Sequence, residues 1–327
     1  MNNSLNAPTS QNRGLLAVKV AIIGAGNVGS SFAFALLLSG LTAEIVLVDA
    51  NRAKAEGEAM DLQHAAPFAP STRVRAGDYA DCAGAVVTVV TAGAGQKPGE
   101  SRLDLAKKNA AVFGQIIPAV AQANPDGLLL IATNPVDVLT HLSIGLSGLA
   151  PSRVLGSGTI LDTARFRHFI GEHIGIAPSS VSAYIIGEHG DSEVPVWSGA
   201  SVGGVQLDAF CKAADIPLSP DDKAAIFERT RDAAYHIIER KGATYYAIAA
   251  GLVQIVAAIV RDENTVLPVG SLIENYGGIS GVAFGMPAII NRQGVARVLP
   301  LPLDNYEREA LQRSAQVLRD SLVHIKN

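Results

Sequence analysis

The sequence predicts an α/β chain, with a doubly wound parallel sheet in its N-terminal half and a mixed α+β half after it. Three observations predict it. A β-branched run, Val18-Lys19-Val20-Ala21-Ile22-Ile23, passes directly into Gly24-Ala25-Gly26-Asn27-Val28-Gly29 and then into a helical segment. Further short apolar runs alternate with helical stretches as far as about Gly156. Beyond it the alternation yields to longer helices and to strands punctuated by glycine and proline.

The first run suits a strand buried on both faces, as parallel strands are. A helix is expected from Ser30 to about Ser39, and Glu44 to Asp49 reads as a second strand that ends in an acid. Ala85 to Thr91 and Leu128 to Thr133 are two further strands, each followed by loop residues, so a ligand site belongs at their carboxyl ends. In the second half, helices are expected over Thr163–His173 and Asp221–Val260, the latter bent near Lys241-Gly242. Strands are expected at Val181–Ile186, Gly281–Ile290 and Val295–Leu299, and a charged amphipathic helix at Asp304–Val323. These readings divide the chain into a polar tail (1–17), a nucleotide-binding half (18–156) and a substrate half (157–327). With no repeat and no flexible linker, the halves should pack closely with the site in the cleft between them.

Hydrophobic residues make up 48% of the 327 and charged residues 17%, with a net charge of −4, which argues against a disordered chain and against a nucleic-acid partner. Cys82 and Cys211 are too few for a disulfide framework and lack metal-ligand spacing, so the expectation is a reducing, cytoplasmic setting and no metal. The polar tail has no apolar segment resembling a secretory signal, and the apolar Ala247–Val260 is too short to span a bilayer. It reads as a buried helix.

A Gly-x-Gly-x-x-Gly pattern alone is weak. Here it follows a strand, opens a helix and precedes Asp49 by 20 residues, counted from Gly29. That context is the dinucleotide-binding fingerprint of a Rossmann half: Gly24 permits the tight turn, Gly26 lets a pyrophosphate approach the backbone, and Gly29 allows close helix–strand packing. Asn27 and Val28 bring helix-start amides to the phosphates. Asp49 should accept from both ribose hydroxyls and repel a 2′-phosphate, with Arg52 the single nearby cation, which favours NAD over NADP. Thr91, Gly93 and Asn134, at later strand ends, complete the expected cofactor set.

Gly187-Glu188-His189-Gly190-Asp191-Ser192 places a histidine between glycines on a short loop, where an aspartate could fix its tautomer and an arginine could hold a carboxylate nearby. Together with Asp61-Leu62-Gln63-His64, Gly99 to Leu105, Thr133-Asn134-Pro135-Val136-Asp137 and Leu161 to Arg167, it carries a resemblance over Val18 to Leu322. The chain resembles the lactate/malate dehydrogenase family, and within it the bacterial lactate branch.

The resemblance implies hydride transfer between NADH and a 2-oxo acid. It implies His189 as the proton donor and acceptor, Asp162 as its partner, and Arg165 as the anchor of the substrate carboxylate. It also implies that Arg102, after a loop that closes over the substrate, reaches the polarised carbonyl. Asn134 would hold the substrate or nicotinamide end, and Thr244 would form a pocket wall on the long helix. Gln96 occupies the loop position where malate enzymes of the family carry arginine. A buried second carboxylate needs a cation partner, and Gln96 and Thr244 are both neutral, so pyruvate and lactate are the expected substrate pair. Malate or a larger 2-hydroxy acid stays open as an alternative, Lys97 being the nearest cation. So does a non-catalytic NAD-binding protein on the same fold.

Many bacterial members of the family are activated by fructose 1,6-bisphosphate through an arginine and a histidine. Arg167 matches the arginine, but the histidine position holds Ser182, so weak or absent activation is expected. The resemblance also suggests a homotetramer.

Overall fold

The computed structural model describes residues 18–95 and 102–326, and the side chains of Arg102 and Lys326 are outside it. The tail and Gln96 therefore lie outside the described residues.

The first half runs β1 (Lys19–Ile23), α1 (Asn27–Ser39), β2 (Glu44–Val48), α2 (Arg52–Ala65), β3 (Arg73–Ala76), β4 (Val87–Val90), α3 (Arg102–Ala123), β5 (Leu128–Ile131), α4 (Val136–Ser147) and β6 (Val154–Gly156). The second runs α5 (Ile160–Ile174), β7 (Val181–Ile186), β8 (Val194–Val202), β9 (Val205–Gln206), α6 (Leu207–Ala213), α7 (Pro220–Lys241), α8 (Tyr246–Arg261), β10 (Thr265–Ile273), β11 (Val282–Asn291), β12 (Gly294–Val298) and α9 (Asn305–Lys326).

Among the described residues, nine strands form one sheet in the order β12-β11-β10-β6-β5-β4-β1-β2-β3. The six strands β1 to β6 are parallel, and β10, β11 and β12 continue the sheet antiparallel. The strand order reverses at β1, between β2 and β4, and such a switch point opens a crevice at the carboxyl ends of its strands. β7, β8 and β9 form a separate antiparallel sheet. No helix among the described residues is long and apolar enough to cross a membrane.

The two halves of the chain meet inside the large sheet, where Gly156 of β6 pairs with Gly270 of β10. The approach needs bare backbone: a Cβ on Gly270 would lie 3.3 Å from Gly156 Cα, and one on Gly158 (φ +52°) would lie 2.3 Å from Gly270 N. α8 then covers the first half from outside. Its Leu252, Ile255, Val256 and Ile259 share a fully buried core with Phe32, Leu36 and Leu37 of α1, as the apolar Ala247–Val260 segment suggested.

Two helices differ from expectation. α1 begins at Asn27, three residues before Ser30, because Gly26 is extended and its carbonyl already accepts from Ser30 N at 2.9 Å. The expected bent helix over Asp221–Val260 is two helices. Gly242 ends α7 in the left-handed region (φ 87°), with its N–H donating to Ile238 O at 2.8 Å, and α8 restarts at Tyr246. Thr244 thus lies in a connection and not on a helix. Lys241 Nζ stands 3.6 Å from the Tyr245 ring centroid and 4.2 Å from that of Tyr246, packing the two sides of the break together.

Candidate active site

The strand-end loops at the switch point fit a dinucleotide. Gly24 takes φ +105°, and a Cβ there would meet Ala92 N at 2.5 Å. A Cβ on Gly29 would meet Gly24 O at 1.9 Å, so the helix can approach the turn only as glycine. Gly26 faces open space, where backbone can meet a phosphate, and no side chain caps the α1 N-terminus. Asn27 is exposed beside it and Val28 half-buried. Asp49, just past β2, accepts from Ala25 N at 2.7 Å and from Asn51 N at 2.8 Å, which fixes its carboxylate against the glycine turn. The Arg52 guanidinium is paired with Glu56 (2.8 Å) and Asp78 (2.9 Å), so it is already neutralised locally.

Thr91 closes the turn from the β4 side, donating to Gly24 O at 2.8 Å. Gly93 lies where a Cβ would meet Thr133 Cγ2 at 2.4 Å. Asn109, buried on α3, ties these loops together: its Oδ1 accepts from Ala94 N and its Nδ2 donates to Asn134 O, both at 2.8 Å. The Asn134 residue itself is exposed at the mouth of the crevice.

The second half supplies the titratable groups. Asp162 and Arg165 lie one turn apart near the start of α5, and both are largely withdrawn from water, at 3% and 11% exposure. The two Asp162 oxygens are divided. Oδ1 faces Arg165 Nη1 at 3.1 Å, and Oδ2 faces His189 Nδ1 at 2.5 Å. The imidazole keeps 24% exposure, so its other edge remains accessible.

Burial alone would lower the His189 imidazolium, but the charge and hydrogen bond of Asp162 outweigh it and raise the group to about 9. Burial opposes ionisation of Asp162 as well, and His189 and Arg165 together hold its carboxyl below the usual range. The pair therefore rests as imidazolium and carboxylate at neutral pH.

Two further carboxyls stand around this pair that sequence reading did not single out. Asp137, in the first turn of α4, is 2% exposed, and its Oδ2 accepts the His189 backbone N–H at 2.6 Å. Burial pushes it up to about 7, and its Oδ1 has no hydrogen-bond partner. Glu193, 6% exposed, is pushed up to about 9 by burial and then by the Asp162 charge, and its Oε1 is likewise unpartnered. Both residues lie in or beside conspicuous motifs, but a carboxylate in a sequence carries no mark of how deeply it will be buried.

The remaining expected residues lie apart from this cluster. Arg167 donates Nε–H to Ala183 O at 2.9 Å, and its guanidinium stacks 5.0 Å from the Tyr184 ring centroid, while Ser182 is exposed on β7. Thr244 is half-buried in the α7–α8 connection. The described residues contain no cluster of His, Cys, Asp or Glu suited to a metal.

Residues 18–156 match the model of the lactate/malate dehydrogenase NAD-binding domain, and residues 159–327 match that of the lactate/malate dehydrogenase alpha/beta C-terminal domain. The chain belongs to the lactate/malate dehydrogenase family. It is 52% identical over 303 residues to the L-lactate dehydrogenase of Priestia megaterium, covering 93% of this chain and 95% of that one. It is 51% identical over 302 residues to the L-lactate dehydrogenase of Thermus aquaticus, covering 92% and 97%. The solved lactate dehydrogenase from a Medee basin deep-sea metagenome library superposes with a TM-score of 0.92 at 43% identity, covering 95% of this chain and 99% of that one. The minor L-lactate dehydrogenase of Enterococcus mundtii, in a ligands-bound form, gives 0.91 at 40% identity, covering 94% and 98%. Membership of this family makes the chain an NAD-dependent oxidoreductase.

Proposed function

We propose that the protein is an L-lactate dehydrogenase that interconverts pyruvate and L-lactate with NADH and NAD. The observation that carries this reading is the divided Asp162 carboxylate, one oxygen on the general acid His189 and one on Arg165. NADH, when bound, supplies the hydride for the carbonyl carbon. Gly24, Gly26, Asn27, Val28 and Gly29 would hold its pyrophosphate, and Asp49 its ribose hydroxyls. Thr91, Gly93 and Asn134 would line the nicotinamide end. The paired state of Arg52 supports NAD over NADP, since a 2′-phosphate would meet Asp49 with no unpaired cation from Arg52.

Arg165 has five N–H donors in a planar fork, and Asp162 occupies one nitrogen. The others suit a substrate carboxylate, which Lys could not grip in two parallel bonds. His189 then donates its Nε2 proton to the alkoxide oxygen as that charge develops, and Asp162 stabilises the cation before transfer and fixes the ring tautomer after it. In the reverse direction the neutral ring takes the hydroxyl proton of lactate. Arg102, six residues after Gln96 in sequence, would steady the carbonyl charge once water is excluded. Neutral Gln96 and Thr244 favour the methyl of pyruvate over a second carboxylate.

Assembly as a homotetramer and a cytoplasmic location belong to the same reading, the former supported by exposed Phe34 and Leu38 on α1 and Met60 on α2. The deciding experiment follows NADH oxidation at 340 nm with pyruvate, oxaloacetate and 2-oxoisocaproate in parallel. Pyruvate should give the highest kcat/KM, and a preference for either of the others overturns the substrate assignment.

A further inference from the structure

The loop that carries His189 is braced from below by the C-terminal helix. Leu311, Ala315 and Leu318 of α9 are buried in one core with Ile186, Val194 and Phe284, and this seats the fully buried Ser314 beneath Glu188. The Glu188 N–H donates to Ser314 Oγ at 2.8 Å. The Ser314 and Ser192 hydroxyl oxygens are 3.2 Å apart. Ser192 Oγ donates to Glu188 Oε2, which also accepts the Ser192 N–H at 3.3 Å. Each hydroxyl has one proton to give, and the carboxylate engages that of Ser192. The Ser314 proton is therefore directed to Ser192 Oγ, and the chain of donors closes on itself around residues 188–192.

His189 lies in the short segment between Glu188 and Ser192, the two residues these bonds tie together. Gly187 makes the close approach of α9 feasible: it adopts φ +87°, and a Cβ there would lie 2.6 Å from Ser314 Oγ. Asp162 holds the imidazole and Asp137 holds its backbone N–H, but neither touches the flanks of the loop at Glu188 and Ser192 in the way Ser314 does.

We infer that Ser314 is a positioning residue for His189, fixing the loop backbone from a helix 125 residues further along the chain so that the ring meets the substrate carbonyl in line. The inference rests on the lactate dehydrogenase reading. Removing the hydroxyl leaves a buried N–H unpaired and lets the loop shift, and displacements of about 1 Å at a reacting group cost about a hundredfold in rate.

The test measures Ser314→Ala, Ser192→Ala and the double variant in the full chain. Ser314→Ala should lower kcat/KM for pyruvate by about ten- to a hundredfold with NADH affinity unchanged. The double variant should lose little more than the worse single one, because both hydroxyls act through one ring. Ser314→Thr, which keeps the hydroxyl, should recover activity that Ser314→Val does not. A readout independent of turnover is amide exchange over residues 187–192 in the cofactor-free chain, which should quicken in Ser314→Ala. Wild-type failure to reduce pyruvate would sink the lactate dehydrogenase reading, and exchange would still judge the brace. Unchanged exchange, a kcat/KM within twofold of wild type, or a parallel loss of NADH affinity would overturn the role of Ser314. Should Ser314→Ala not fold, Ser192→Ala, on a partly exposed residue, carries the same expectations.

Discussion

Asp137 and His189 are 52 residues apart in sequence and joined by a 2.6 Å hydrogen bond from the histidine backbone N–H to the buried carboxyl. The contact gives His189 two carboxyl partners on two helices, one for its main chain and one for its ring. Asp137 is protonated at higher pH than an ordinary aspartate, because burial raises it to about 7. The folded state thus holds a proton that the unfolded chain releases between about pH 4 and 7, and stability falls across that interval as pH rises. Asp137→Asn should flatten the fall, so the difference in Tm between variant and wild type should grow in the variant's favour from pH 4 to 7. A constant difference would show that Asp137 does not titrate there. Asp137→Ala also removes the acceptor, and the unpaired N–H should lower kcat/KM for pyruvate by about tenfold or more.

For the His189–Asp162 pair the sign is the same and the interval lies higher. With the histidine at about 9 in the folded state, the pair's stabilisation is complete below pH 6.5 and is lost as pH rises through 9. Pyruvate reduction, which needs the imidazolium, should decline over the same upper interval. Asp162→Asn leaves the ring buried without its counter-charge, so the decline should move toward pH 6.5 or below while NADH affinity is kept. A pH–rate profile that stays put would refute the pairing.

Glu193 is held neutral at pH 7 by burial and by the Asp162 charge. A glutamine copies the neutral acid in shape and polarity. Glu193→Gln should therefore keep kcat/KM at pH 7 within about threefold of wild type and gain relative stability from about pH 4.5 to 9, the interval over which the buried acid retains its proton. A large loss of activity at pH 7 would mean that Glu193 works as a carboxylate.

Arg167 already donates to Ala183 O and stacks on Tyr184, and its neighbour Ser182 brings no charge. Adding fructose 1,6-bisphosphate should leave the pyruvate KM nearly unchanged. A strong drop would restore the effector site despite the missing histidine.

Under the proposed function, Gln96→Arg should raise the ratio of kcat/KM for oxaloacetate over pyruvate by more than about tenfold, since it would offer a second substrate carboxylate a cation. Steady-state kinetics with an unaltered ratio would remove Gln96 from the specificity role.

The parallel core was legible because β1, β2, β4 and β5 are mostly apolar runs that end in loop residues, and the glycine turn advertises its backbone needs residue by residue. β3 escaped the reading. As an edge strand, Arg73-Val74-Arg75-Ala76 is half charged, and Arg75 is held there by Glu44 and Asp81 from other segments. The break between α7 and α8 was marked by Gly242, but whether a glycine bends or ends a helix depends on what Tyr245 and Tyr246 pack against. At the site, His189, Asp162 and Arg165 were visible through motif and resemblance. Asp137, Glu193, Asn109 and Ser314 were not, because their significance lies in burial and in partners 15 to 126 residues distant.

The glycine-lined seam between β6 and β10 bears on motion as much as on assembly. A cut after residue 156 would not release two self-standing bodies. It would leave two unpaired strand edges, each a template for aggregation. Nor can the chain open like a hinge along that line without tearing main-chain hydrogen bonds. Movement that admits substrate or releases product would have to come from what is hung upon the sheet, such as the strand-end loops, and not from parting it along this seam.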